Sequence, residues 1–277
     1  MRLGNHGGRP VIITDAGAVD VAIASGGALP STLPELYESW DVVALDRLDL
    51  TSAAPYSLDE LGAPSPLPHQ VFAIGLNYAS HAVESGMDLP EMPATFTKYP
   101  SSLTGPFASV PLSSELVDYE VEIVVVMGRT ASRVTEADAW DYVAGLTVGQ
   151  DYSDRGVQFA AGSQFSLGKS FHGFGPTGPW LVTPDEFTNP DDLELSCTLN
   201  GEEMQRARSR SLIFSIPNLI ARLSAITPLW PGDLIFTGTP EGVGISRQPA
   251  VFLRDGDVVV STVEGIGTIR NVMKGPL

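Results

Sequence analysis

Asp118-Tyr119-Glu120-Val121-Glu122, running directly into Ile123-Val124-Val125-Val126-Met127-Gly128, is the stretch whose reading decides the fold. Its β-branched run marks a buried strand, and side chains alternate along a strand. Asp118, Glu120 and Glu122 therefore point one way, while Tyr119, Val121 and Ile123 point the other. Carboxylates at i and i+2 stand only ~7 Å apart. Keeping both ionised beside so apolar a run is costly unless a cation or hydrogen-bond donors lie between them. That is the pattern of a hard-metal site. A charged strand edge facing solvent gives the same pattern, and in a chain with 33 acidic residues the two readings are separated only by what else the sequence supplies.

The 277 residues suffice for one large domain, or a large one with a small one. A hydrophobic fraction of 43% and a charged fraction of 18% are those of a globular protein rather than a disordered one. The net charge of −17 and the pI near 4.4 argue against nucleic acid or an anionic membrane as a partner, since both would be repelled over most of the surface. An anionic small molecule then needs a metal or a few specific cations. With only 16 lysines and arginines, each basic residue near a motif counts. The single cysteine, Cys197, excludes an intrachain disulfide and a multi-cysteine metal site. Within Leu195-Ser196-Cys197-Thr198-Leu199 it reads as a small core residue. The first 25 residues contain Arg2 and Arg9 but no continuous apolar segment, and no run approaches the length of a membrane span, so a cytoplasmic protein is expected.

Ala63-Pro64-Ser65-Pro66-Leu67-Pro68 is the clearest linker, which places a small N-terminal domain at 1–68 and a larger one at 69–277. Val71–Gly75 reads as a buried strand, and Leu76–Gly86 as one or two helical turns stopped by Gly86. His81 and Glu84, three apart, share a face there; a carboxylate beside an imidazole orients it and raises its basicity, although a surface ion pair has the same spacing. Met92–Pro100 is extended. Thr135 and Asp138 predict a capped helix over 136–143, and the strand 144–150 delivers Asp151 at its end, with Arg155 and Gln158 beyond. Two nucleotide-like motifs fail. Gly162–Ser170 has five residues between its glycines where a phosphate loop has four, and Gly173–Gly178 is followed by prolines that forbid the required helix. Lys169 then reads as an isolated cation in a stiff loop. Asn200-Gly201 predicts a hairpin, and Ser215-Ile216-Pro217 opens a helix to about Ile226. Leu234–Gly244 is a strand entering a glycine-rich loop, where Thr239 can meet a ligand carboxylate or simply stabilise the turn. Two closing strands flank Glu264-Gly265.

Oxygen ligands from Glu120, Glu122 and Asp151 favour Mg²⁺, Mn²⁺ or Ca²⁺ over softer metals, and four histidines are too few for a His-rich site. From residue 69 onward the ordered motifs Gly75-Leu76-Asn77-Tyr78 with His81 and Glu84, Asp118–Glu122, Gln150-Asp151 with Arg155 and Gln158, Gly168-Lys169-Ser170-Phe171, Ile213–Pro217, Thr237–Pro240 and Glu264–Gly267 resemble the fumarylacetoacetate hydrolase family. The likeness is to its bacterial acylpyruvase and dienedioate-isomerase branch. The resemblance implies an α+β, β-rich fold with a mixed β-roll catalytic domain that forms a homodimer. It implies Mg²⁺ or Mn²⁺ on Glu120, Glu122 and Asp151, with Ca²⁺ a possible occupant in a crystal, and a water-activating dyad of His81 and Glu84. Lys169 would stabilise developing negative charge, and Tyr78, Arg155, Gln158 and Thr239 would contact substrate.

The implied substrate is a small anionic 2-oxo acid or 1,3-diketone. Chelation of its oxygens by the metal would stabilise the enolate released when the adjacent C–C bond breaks, as in hydrolysis of acylpyruvates during aromatic-compound catabolism. The same site chemistry serves an isomerase or a decarboxylase of 2-hydroxy-dienedioates or oxaloacetate. A non-catalytic metal- or ligand-binding protein is the reading of another class. Two departures from the family pattern, Arg155-Gly156 in place of Arg-Asp and His172 where Asp is common, bear on substrate rather than on metal; His172 is read as a loop histidine.

Overall fold

The computed structural model describes residues 1–84, 86, 88–160, 162 and 164–275. Ser85 of the expected helical turns, Ser163 of the rejected phosphate-loop match and the last two residues of the 69–277 unit lie outside the described residues. The architecture is β-rich, as expected, and is built on two mixed sheets. In the larger sheet the strand Val121–Met127 is central, paired antiparallel with Val143–Gln150 on one side and Leu234–Phe236 on the other. Leu234–Phe236 runs parallel to Val71–Gly75, whose other neighbour is the edge strand Ala94–Thr97. In the opposite direction Gly175–Val182 joins Val143–Gln150 to Arg2–His6, Arg9–Thr14 and Gly17–Asp20. Residues 1–68 thus contribute strands to the same sheet as the chain beyond the Pro-rich linker.

All seven residues of Val121–Met127 are buried, because this strand divides two cores. Tyr119, Val121, Ile123, Val125 and Met127 enter one, together with the second sheet, which includes Glu194–Leu199 and Val258–Val263. Val124 and Val126 enter the other, formed with Leu3, Ile12, Leu33, Leu36 and Tyr37 of the N-terminal segment. Glu120 and Glu122 belong by alternation to the Val124 face. A strand covered on both faces reads as an unbroken apolar run, which explains the Ile123–Met127 pattern.

Asn200-Gly201 turns the hairpin between Glu194–Leu199 and Glu202–Arg208, with positive φ at both residues (53° and 87°) as a type I′ turn requires. Ser215 caps the helix Ile216–Ile226 by accepting from the Asn218 amide. Glu136–Tyr142 differs from expectation: it is a 3₁₀ helix, and the Thr135 hydroxyl bonds the Asp138 carboxylate instead of capping a backbone amide. Cys197 is fully buried on its strand. Among the described residues no helix is long and apolar enough to cross a membrane.

Candidate active site and metal centre

The chain leaves strand pairing at Tyr119-Glu120 and resumes it at Val121, so Glu120 sits at a break between two strand segments. Two glutamines hold that break. Gln150 accepts the Glu120 amide (2.8 Å) and donates to Ser261. Gln205, from the second sheet, accepts the Val121 amide (3.0 Å) and donates to the Thr239 hydroxyl and the Pro240 carbonyl. The backbone that aims the two glutamates is thereby fixed by buried side chains, each costly to remove.

Glu120, Glu122 and Asp151 are all buried, and each offers an oxygen within 4.8 Å of the others. Three oxygens ligating one hard cation at ~2.0–2.6 Å span distances of this size. Positive side chains crowd the cluster. Lys169 donates to Glu120 (2.7 Å), Asp151 (2.7 Å) and Ser153 (2.9 Å). Arg155 grips Asp118 through two bonds (2.7 and 3.0 Å) and reaches Glu120 (2.7 Å) and Gln158 (2.8 Å). Asp118 is thus the partner of Arg155 and stands outside the acid triad. Gly168 makes the approach of Lys169 possible, since a Cβ there would lie 2.5 Å from the Gln158 nitrogen.

Lys98 was not identified from the sequence. It is fully buried, and its ammonium donates to Asp151 (2.7 Å), to the Phe174 carbonyl (3.2 Å) and to the Lys169 carbonyl. Burial draws its pKa down, against the attraction of Asp151. The cluster therefore holds four carboxyls, Asp118, Glu120, Glu122 and Asp151, against three cations, Lys98, Arg155 and Lys169.

Among the described residues Glu122 has no cation bonded to it; its partner is the Gly238 amide at 2.7 Å. Gly238 has φ +100° and a Cβ there would lie 2.7 Å from that of Asn77, so only glycine brings this amide to Glu122. Burial, then the charges of Asp151 and Glu120, push the Glu122 carboxyl well above its ordinary range. Burial acts on Glu120 in the same sense, but Lys169, Arg155 and His81 outweigh it and hold Glu120 below. The buried acid lacking a cation identifies where positive charge is missing. Three clustered hard oxygens and one uncompensated carboxyl fit a divalent metal.

His81 and Glu84, three apart in sequence, do meet. His81 Nδ1 lies 3.2 Å from Glu84 on the short helix Ala79–Glu84, and both Glu84 oxygens accept from the Gly242 amide (3.0 and 3.1 Å). The 238–244 loop thus holds a triad acid through Gly238 and the dyad acid through Gly242. Asn77, fully buried, ties this region together by bonding Thr237 and both backbone groups of Phe214.

His81, Glu84, Glu120, Arg155, Gln158, Lys169 and Thr239 all line one cavity of about 270 Å³. Tyr78 does not: it is 1% exposed and bridged to Leu212, with its hydroxyl buried and unbonded among the described residues. Thr239 reaches the cavity, but its hydroxyl donates to the Val121 carbonyl and accepts from Gln205, which is a structural task. His172 is exposed, 3.4 Å from the Ser101 carbonyl, and is no part of the cavity lining.

Residues 70–274 match the family model of the fumarylacetoacetate (FAA) hydrolase C-terminal domain. The mitochondrial oxaloacetate tautomerase Fahd2a of Rattus norvegicus is 40% identical over 250 residues, covering 88% of this chain and 80% of that protein. A crystal structure assigned as an HpcE protein of Mycobacterium smegmatis superposes with a TM-score of 0.95 at 47% identity, covering 99% of both chains. Maleylpyruvate hydrolase of Sphingobium sp. SYK-6, in complex with manganese(II) and pyruvate, superposes with a TM-score of 0.81 at 28% identity over the whole of both chains.

Proposed function

The chain belongs to the fumarylacetoacetate hydrolase family, and on that premise we propose that it is a divalent-metal-dependent hydrolase of the C–C bond in acylpyruvate-like β-diketo acids. The observation that carries this reading is the placement of the His81–Glu84 dyad in the same cavity as Glu120 and Lys169. Glu120, Glu122 and Asp151 would hold Mg²⁺ or Mn²⁺, which when bound supplies Lewis-acid polarisation of the 2-oxo acid's oxygens.

The chain's own groups divide the remaining work. Glu84, fixed by the Gly242 amide, holds and orients the imidazole of His81. His81 takes a proton from water, and the resulting hydroxide adds to the distal carbonyl carbon. The C–C bond then breaks with its electron pair on the pyruvate half, which takes a proton at carbon. Lys169 and Arg155, held by the acids around them, present fixed positive charge where negative charge grows. Arg155 has one N–H left over after its four protein bonds, which suits the substrate's own carboxylate.

A second reading, keto–enol tautomerisation of a 2-oxo diacid, is favoured by the 40% identity with an oxaloacetate tautomerase. It needs proton transfer at carbon but no attacking water. The deciding experiment follows both products in one series: pyruvate released from acylpyruvates with Mn²⁺, and decay of enol absorbance from oxaloacetate. Metal-dependent pyruvate release that disappears in His81→Ala supports the hydrolase. Enol decay without any C–C cleavage overturns it in favour of the tautomerase.

A further inference from the structure

We infer that the end of the cavity away from the acid cluster accepts an apolar, alkyl or aryl, substituent and rejects a second carboxylate, so that the substrate is a monoanionic 2-oxo acid. This deepens the hydrolase reading and rests on it for the identity of the reacting group. Three rings mark the path. Phe96 lies beside Lys169, whose ammonium is 5.2 Å from the ring centroid. Phe96 meets Phe165 edge-on at 5.9 Å, and Phe165 meets Phe159 edge-on at 6.3 Å. Exposure rises along the row, from 8% at Phe96 to 49% at Phe159, so the rings lead outward from the acid cluster to the surface. Ile74, Leu76 and Val243 complete the apolar wall.

The cations in the lining are accounted for at the other end. Lys169 spends its three donors on Glu120, Asp151 and Ser153. Arg155 spends four of five on Asp118, Glu120 and Gln158, and the fifth serves the carboxylate every 2-oxo acid carries. His81 is paired with Glu84. Beyond these three, no basic side chain lines the cavity among the described residues, and the six residues outside the description include none that is basic. A distal carboxylate would therefore lie against aromatic rings with no cation to pair it, which is unfavourable. An alkyl or phenyl group there gains the burial of its apolar surface.

The test is calorimetric binding of two unreactive ligands, 2-oxoheptanoate and 2-oxoadipate, to the Mn²⁺-loaded protein. Such an experiment reads the distal subsite whether or not C–C cleavage occurs; turnover of acylpyruvates separately tests the hydrolase reading. We expect the monoacid to bind at least ~30-fold more tightly, the burial of one unpaired carboxylate amounting to roughly that or more. Phe159→Arg, at a half-exposed position where a long side chain is tolerated, should narrow the ratio at least tenfold by favouring the diacid. Equal binding of the two ligands, or preference of the wild-type protein for the diacid, overturns the inference.

Discussion

Lys98→Met removes a buried ammonium while keeping the unbranched stem, which isolates charge from packing. In the wild-type protein that ammonium bonds Asp151 and the Phe174 and Lys169 carbonyls, and lies 5.8 Å from the Phe236 ring centroid. Its loss leaves one carboxylate oxygen and the Lys169 carbonyl without a partner in a fully buried place, while the Phe174 carbonyl keeps the Tyr152 amide. Breaking a buried ion pair from one side costs about 3–5 kcal/mol. For a chain of this size each kcal/mol moves Tm by roughly 2–3 °C, so a fall of roughly 6–15 °C is expected in the presence of a chelator. A metal site beside Asp151 adds a second expectation. A bound dication restores positive charge at the same carboxylate, and the removed ammonium no longer repels it, so saturating Mn²⁺ should close much of the gap between variant and wild type. Differential scanning calorimetry with EDTA and then with Mn²⁺ measures both. A variant as stable as wild type in EDTA, or a gap that Mn²⁺ leaves untouched, would refute the reasoning.

Three further expectations follow from other groups. His81→Ala should lower kcat by ~10²–10⁴ while Mn²⁺ affinity stays within a few-fold, because His81 bonds the dyad acid and not the triad; isothermal titration beside steady-state kinetics separates the two effects. Gln205→Leu strips partners from the Val121 amide, Thr239 and Pro240, and should cost about 1–3 kcal/mol in chemical denaturation and weaken metal binding ~10–100-fold. Burial and the charges of Asp151 and Glu120 push the Glu122 carboxyl above its ordinary range, and it must be ionised to ligate, so below that raised pKa Mn²⁺ affinity should rise by up to about tenfold per pH unit. Calorimetry in buffers of different ionisation heat should register proton release on metal binding at pH values below that raised pKa. Without metal the sign reverses for stability: the folded state keeps a proton the unfolded chain has lost, so stability contributed by this group falls as pH rises from the ordinary carboxyl range to the raised one.

What was legible in the sequence is what local periodicity carries. Alternation placed Glu120 and Glu122 together, the three-residue spacing joined His81 to Glu84, and Asn200-Gly201 and Ser215 marked a hairpin and a helix start that the structure contains. Lys98 was not legible, because within Thr97-Lys98-Tyr99 it looks like an ordinary lysine leaving an edge strand. Only the long-range approach of Asp151 and the Phe174 carbonyl gives it partners. The tasks of Gln150 and Gln205 were hidden for the same reason, although Gln150, ending the apolar strand Val143–Gln150, is a signal that a buried amide or carbonyl needs a partner. The pairing of Arg2–His6 with Gly175–Val182 joins residues as far apart as Arg2 and Val182, and nothing in local sequence encodes it. Tyr78 and Thr239 show the converse: a motif position was visible, but whether its hydroxyl faced the cavity or the scaffold depended on Leu212, Val121 and Gln205.

Electron paramagnetic resonance of Mn²⁺ titrated into the purified, metal-stripped protein bears most directly on the claim that Glu120, Glu122 and Asp151 form a metal centre serving a 2-oxo acid. One Mn²⁺ per chain should lose its free-ion signal, Glu122→Gln should abolish that binding while the fold persists by circular dichroism, and added pyruvate should alter the bound spectrum. Undiminished free-ion signal with the wild-type protein, or unchanged binding in Glu122→Gln, would contradict the account.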